Sequence, residues 1–141
     1  MNINISQDKL TDFTREPLLA IVTTVNPDGS PQATPVWYDY DGKYFWFTSH
    51  SGRVKVCNIR LNPKVSLVVV DTSCYGTPMI VNGIAEIIEA GAQEATEKVA
   101  IRYEGEEQGR TSAQKLADYA RRIRQRRVIV RIIPDRVLYD D

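Results

Sequence analysis

The stretch "PQATPVWYDYDGKYFWFTS" at 31–49 decides the fold, because it predicts two antiparallel strands joined by a tight turn. At its centre lies Asp41-Gly42, a pair typical of two-residue hairpin turns. β-branched and aromatic residues flank the pair on both sides, as strands prefer. We therefore expect strands at 31–40 and 43–49.

Working outward from this hairpin, hydrophobic periodicity and turn residues predict the other elements. A short amphipathic helix is expected at 6–16, with Ser6 as its N-cap. Further strands are expected at 18–25, 64–71, 78–89 with a bend near Gly83, and as a pair within 127–140, and helices at 52–61, near 92–104 and near 111–124. Strands joined by short turns favour a mostly β fold, an antiparallel sheet closed into a barrel with peripheral helices.

The composition indicates one ordinary globular domain over 1–141. The 18 basic residues balance the 18 acidic ones, so no overall field attracts nucleic acid or an anionic membrane. The apolar runs are too short to cross a bilayer and the first residues do not resemble a signal peptide, so we expect a cytoplasmic protein. Cys57 and Cys74 are expected as free thiols, with a disulfide as the alternative.

Hydroxyls and cations crowd the junction between the strand at 43–49 and the helix at 52–61. The residues concerned are Thr48, Ser49, Ser51, Gly52, Arg53 and Lys55. Cations at a helix N-terminus oppose the helix dipole, which favours anions there. An anion, and phosphate above all, would account for the placement. The alternative is that Ser51 caps the helix while Arg53 and Lys55 point into water.

Aromatic side chains are dense on the hairpin strands: Trp37, Tyr38, Tyr40, Tyr44, Phe45 and Trp46. They can pack the core or a subunit interface, or they can line a site for a planar ligand. An enzyme without a nucleophile motif would take its chemistry from a cofactor, and a planar phosphorylated cofactor fits both features.

His50 is the only histidine, which excludes a metal site built from several imidazoles and makes a Ser-His-Asp triad improbable. We expect it to be a loop residue whose backbone lies near the cation pair. No catalytic side chain and no metal ligand is assigned.

The chain resembles the pyridoxamine 5'-phosphate oxidase-like FMN-binding split barrels, particularly small oxidoreductases that use deazaflavin coenzyme F-420. The resemblance is carried by "AIVTTVNPDGSPQATPVWYDYDG" at 20–42, "FWFTSHSGRVKVCNIRLNPKVSLVVVD" at 45–71, "VNGIAEI" at 81–87 and "VIVRIIPDRV" at 128–137. It implies a Greek-key split barrel. The spacing of Arg53 and Lys55 is similar to the subgroup that uses F-420, whereas the FMN oxidases tend to have adjacent Arg and Lys.

The resemblance also implies which residues bind the cofactor. The strand with Gln32, Pro35, Val36 and Trp37 would lie along the ring. The phosphate would be held by Thr48, Ser49, Arg53 and Lys55. The loop from Tyr75 to Met79 would reach the cofactor of a partner subunit.

The function implied is an oxidoreductase that uses FMN or F-420 to transfer hydride or electrons to an unidentified small organic substrate. The family implies a homodimer with the cofactor at the subunit interface. The chain ends without the segment that binds the phosphorylated pyridine in the true oxidase, which disfavours vitamin B6 oxidation.

Two alternatives to a redox enzyme stay open. One is a split barrel that binds flavin or haem without catalysis. The other is a nucleic-acid-binding barrel that uses the basic run "RRIRQRR" at 121–127. We expect this run instead to be a solvated helix end, which the tail of a negatively charged cofactor could still touch.

Overall fold

The computed structural model describes residues 2–3, 5–74 and 77–139. Within them the strands are β1 (Asn2–Ile3), β2 (Leu19–Val25), β3 (Pro31–Val36), β4 (Tyr38–Tyr40), β5 (Phe45–His50), β6 (Lys64–Asp71), β7 (Thr77–Ile88) and β8 (Arg127–Tyr139). The helices are α1 (Gln7–Arg15), α2 (Val54–Leu61), α3 (Ala92–Glu104) and α4 (Glu106–Arg122). None of the helices in this described part is long and apolar enough to cross a membrane.

Seven strands form one curled antiparallel sheet in the order β3-β2-β6-β7-β8-β5-β4, and β1 adds a short parallel pairing to β8. The path starts at β3 and ends at β4, and only Trp37 separates these two strands along the chain. The chain itself therefore connects the two edges of the curled sheet. This arrangement, with helices outside it, confirms the expected split barrel.

The barrel interior is filled by alternate side chains of the strands, as a sheet with one buried face requires. Phe45 and Phe47 of β5 are fully buried and belong to this core, together with Val22, Leu67, Val69, Val81, Val130 and Ile132. Ser6 caps α1 as expected, because its side chain accepts a hydrogen bond from the amide of Lys9. The helix places Leu10 in the core.

The expected strand pair within 127–140 is wrong, because β8 is one continuous strand over Arg127–Tyr139. Pro134 lacks the N–H that a central strand needs, so its position within one strand requires an irregularity in the pairing. In the structure Pro134 lies opposite Gly83, where the β7–β8 register shifts between Asn82 and Gly83. A Cβ on Gly83 would lie 2.2 Å from the carbonyl oxygen of Ile133, so glycine is what permits this close crossing and the expected bend.

Helix α4 begins at Glu106, five residues before the expected start, because Gly109 does not break it. A Cβ on Gly109 would lie 2.5 Å from the Cα of Ile101 on α3. The glycine therefore allows the two helices to pack closely. On α2, Cys57 is an exposed free thiol, whereas the Cys74 side chain lies outside the described part of the chain.

Candidate functional site

The turn between β5 and α2 is fixed by the turn that leads from α4 into β8. The amide of Ser51 donates to the carbonyl of Arg126 at 2.8 Å, and the Ser51 hydroxyl accepts from the amide of Arg126 at 3.0 Å. The amide of Gly52 donates to the Gln125 side chain at 3.0 Å. Ser51 is thus hydrogen-bonded to the turn that precedes β8 and does not cap the helix. Helix α2 begins after Arg53, and no side chain caps its N-terminus.

Beside this turn lies an open cavity of about 460 Å³, on the outside of the barrel. Its wall combines residues from the sheet, from the start of α2 and from the α3–α4 pair. The lining residues are Leu19, Pro35, Val36, Trp37, Thr48, Ser49, His50, Arg53, Lys55, Thr96, Val99, Ala100, Leu116 and Arg127. A volume in this range accommodates a small organic ligand or cofactor.

Three cations, Arg53, Lys55 and Arg127, lie on the cavity wall, and none of the described residues that line it is acidic. Within residues 5–74 and 77–139, none of the three forms an ion pair with a carboxylate. Lys55 and Arg127 are half-buried, whereas Arg53 is exposed. Half-buried charges are normally paired, because leaving water costs several kcal/mol per ion. The cluster therefore lacks a negative partner, and an anionic ligand would supply one.

Neutral side chains hold Arg127 in place. Its Nη2 donates to the Thr48 hydroxyl at 2.8 Å, its Nε donates to the Thr96 hydroxyl at 3.3 Å, and its Nη1 lies 3.4 Å from Nδ1 of His50. Burial, and then the charge of Arg53, lower its pKa to about 10. The guanidinium is nevertheless positive at neutral pH, so its charge remains directed at the cavity.

Burial, together with the surplus of positive charge, also lowers the pKa values of His50 and Lys55. Burial and then Arg127, Arg53 and Lys55 lower the pKa of His50 to about 4, so the imidazole is neutral at physiological pH. The pKa of Lys55 is lowered by burial, by Arg53 and by Arg127. Both shifts have the direction that a bound anion would reverse.

Another part of the lining is apolar, and Trp37 is its largest member. The indole stacks on Tyr103 with 5.0 Å between ring centroids and 9° between planes, and it remains 40% exposed. The hydroxyl of Tyr103 donates to the carbonyl of Leu18 at 2.7 Å and accepts from the amide of Tyr38 at 3.2 Å. Trp37 is therefore a fixed flat surface at the break between β3 and β4.

The structure brings seven of the ten residues named from the sequence to this cavity. These are Pro35, Val36, Trp37, Thr48, Ser49, Arg53 and Lys55. Gln32 is half-buried on β3 and does not line the cavity, and Met79 is fully buried in the barrel core. Tyr75 lies outside the described residues.

The sequence placed both Arg127 and His50 wrongly, since Arg127 was expected at a solvated helix end but begins β8 and lines the cavity. We expected His50 in a loop with only its backbone near the cations, but it ends β5 and its side chain is 3% exposed. Thr48 and His50 share one face of β5 by their spacing of two, which was a usable signal. Arg127 lies directly opposite His50 in the β5–β8 register, a pairing that the local sequence does not reveal.

Comparisons with known proteins agree with this architecture. A family model described as pyridoxamine 5'-phosphate oxidase matches residues 6–140. A solved F-420 reductase is 26% identical, with a TM-score of 0.71, over 90% of this chain and 94% of that chain. A conserved hypothetical protein from Mycobacterium tuberculosis is also 26% identical, with a TM-score of 0.76, over 98% of this chain and 87% of the other.

A third solved structure, the heme storage protein HutZ from Vibrio cholerae, shares the fold at 14% identity. Its TM-score is 0.71, with 99% of this chain and 95% of that chain covered. No curated protein matches the sequence.

Proposed function

We propose, from the premise that this chain belongs to the pyridoxamine 5'-phosphate oxidase family, that it is an oxidoreductase whose cavity binds a phosphorylated flavin-type cofactor. The cofactor is FMN or the deazaflavin F-420, and the substrate is a small organic molecule. The observation that carries the proposal is the cluster of three cations without a described carboxylate partner. The likeness to an F-420 reductase supports the same class of cofactor.

The cationic side of the cavity suits a phosphate group. Arg53 and Lys55 approach from the start of α2, Arg127 from β8, and Thr48 adds a hydroxyl. Charge-assisted hydrogen bonds from such groups are among the strongest in proteins. The uncapped N-terminus of α2 adds a favourable dipole for an anion.

The apolar side of the cavity suits a planar ring. Pro35 and Val36 end strand β3, and the exposed indole of Trp37 follows them. Aromatic surfaces of this kind bind flat ligands by stacking and by excluding water. Phosphate and ring would thus be held by different parts of the lining, which would orient the bound molecule.

The flavin-type ring supplies hydride or electron transfer when it is bound, since the lining has no nucleophile motif. The role of the protein's own residues is to bind the cofactor and to orient it. The three cations neutralise the phosphate, the wall around Trp37 positions the ring, and α3 and α4 cover the cavity from one side with Thr96, Val99, Ala100 and Leu116. No proton-transfer role is assigned to a side chain.

A split barrel that binds haem or flavin without catalysis is the second candidate. Haem iron commonly takes a histidine ligand, and His50 is the only histidine. Its Nδ1 faces Arg127, and its ring lies 5.2 Å from that of Tyr119. This environment favours an anion more than an iron ion, so we rank flavin-type binding first.

We further propose a homodimer, with the cofactor at the subunit interface and the segment at Tyr75, but not the buried Met79, near the partner's cofactor. Apolar side chains remain exposed at the cavity, namely Leu19 at 55% and Trp37 at 40%. A partner subunit would cover them. The cytoplasm remains our predicted location.

The absorption spectrum of the purified protein, before and after addition of FMN, F-420 or haem, tests this proposal. We expect a flavin or deazaflavin band that stays with the protein through gel filtration. In the Trp46→Phe variant, where Trp37 is the only tryptophan, the same addition should quench emission. A haem band, or no retained band and unchanged emission, would reject the flavin-type assignment.

A further inference from the structure

The guanidinium of Arg127 is immobilised without being neutralised. Its three hydrogen-bonding partners are Thr48, Thr96 and the imidazole of His50. A half-buried arginine is more commonly held by a carboxylate, which fixes the side chain but cancels its charge. Here every acceptor is neutral, so orientation and net charge are both kept.

The register of β5 and β8 places His50 where it can accept a hydrogen bond from Arg127. His50 and Arg127 are directly opposite on the antiparallel strands β5 and β8, so their side chains lie on the same face. The hydrogen bond from Nη1 of Arg127 requires Nδ1 of His50 to be the acceptor, which puts the ring proton on Nε2. The ring of Tyr119 on α4 packs against the imidazole and restricts it.

We propose that His50 is a positioning residue of the anion site, which aims the guanidinium of Arg127 into the cavity by accepting its hydrogen bond while leaving its charge uncompensated. The inference rests on the proposed anion-binding function. It assigns to the chain's single histidine a role in affinity for the anionic group rather than in redox chemistry.

The groups around His50 agree with a neutral ring. Arg53 and Lys55 approach from the start of α2, Arg127 from β8, and Tyr119 from α4. The described α3 residues that line the cavity, Thr96, Val99 and Ala100, are uncharged. No carboxylate faces the imidazole within the described residues. Burial and these cations lower its pKa to about 4. The acceptor is thus available throughout the physiological pH range.

Three substitutions at His50 separate positioning from a merely structural role. His50→Asn retains a neutral acceptor near the position of Nδ1, His50→Leu removes the acceptor, and His50→Glu provides a carboxylate. Binding of sulfate and inorganic phosphate is measured by calorimetry at pH 7.5, followed by FMN and F-420. Thr96→Val, which removes another acceptor of Arg127 with little change in shape, serves as an independent variant if a His50 variant fails to fold.

We expect the Asn variant to bind within about threefold of the parent, because one neutral hydrogen bond is replaced by another. The Leu variant should bind about tenfold more weakly, and the Glu variant more weakly still although it holds Arg127 at least as firmly. Thr96→Val should weaken binding in the same direction as Leu. Equal affinity of all the folded variants, or tighter binding by the Glu variant, would overturn the inference.

The test also separates this inference from the proposed function. A parent protein that binds sulfate or phosphate, with variants that bind equally, would refute only the role of His50. A parent that binds none of the four probes would refute the anion site itself and this inference with it.

Discussion

At the scale of single residues, the cavity depends on how burial and like charges act on His50. Its pKa of about 4 in the folded protein lies below the ordinary value of 6.5. Between these values the unfolded chain binds more protons than the folded one, so stability is greatest above pH 6.5 and falls as the pH drops towards 4.

We therefore predict that His50→Asn flattens the dependence of stability on pH over this range. Urea unfolding of parent and variant at pH 7 and pH 5 measures the difference, and the carboxylates common to both proteins cancel in the comparison. Because the chain has one histidine, its NMR titration gives the pKa directly. A titration near 6.5 in the parent would contradict this picture of the cavity.

At the scale of elements, Arg102 of α3 connects its helix to the strand break and to the segment that follows α1. Its guanidinium donates to the carbonyls of Tyr38 at 3.0 Å, Thr14 at 2.8 Å, Glu16 at 3.0 Å and Arg15 at 3.2 Å. One arginine thus joins α1, β4 and α3 next to Trp37.

Arg102→Met, which keeps most of the aliphatic stem, should destabilise the protein by about 2–3 kcal/mol, because several charge-assisted hydrogen bonds are lost together. Arg110→Met is the matched control. Arg110 is an exposed residue of α4 that forms surface pairs with Glu106 and Glu97, and its loss should cost less than about 1 kcal/mol. Denaturant unfolding measures both. If the two substitutions destabilised the protein equally, the hydrogen bonds of Arg102 to α1 and β4 would not be important for stability.

The sequence predicted some strands with their exact bounds and others only in part. Strand β6 has the expected bounds of 64–71, because its β-branched run lies between a helix stop and a polar turn. The strand expected at 31–40 breaks at Trp37, where the chain changes its pairing partner from β2 to β5. That change depends on barrel closure, a non-local event that residue propensities do not encode.

Some residues of the candidate site could likewise be predicted from the sequence, and others could not. Arg53 and Lys55 were predictable as a candidate anion site because they lie two residues apart near a helix start, and Trp37 as a candidate ring surface because it is one of several aromatic residues on the hairpin strands. Arg127 was not predictable, because only the pairing of β5 with β8 brings it to His50, 77 residues away along the chain. The wall from α3 and α4 likewise depends on how the helices dock, which amphipathic spacing alone does not determine.

At the scale of the whole molecule, the exposed apolar residues predict an assembly. Leu19 and Trp37 border the cavity, and Val54 at the start of α2 is 55% exposed. Large side chains in one region of a surface are typical of subunit interfaces. We expect sedimentation at micromolar concentration to give a dimer, and Val54→Asp to shift it towards monomer. A parent protein that sediments only as a monomer would refute the dimer.

The central claim is that the cation cluster binds the phosphate of a flavin-type cofactor, and calorimetric titration of FMN and F-420 into Arg53→Ala/Lys55→Ala tests it most directly. Each charge-assisted hydrogen bond to phosphate contributes roughly 1.5–3 kcal/mol, so the double variant should bind at least about a hundredfold more weakly than the parent. Arg60→Ala, which removes an exposed cation from the far end of α2, should bind like the parent. A folded double variant that binds both cofactors as tightly as the parent would contradict the claim.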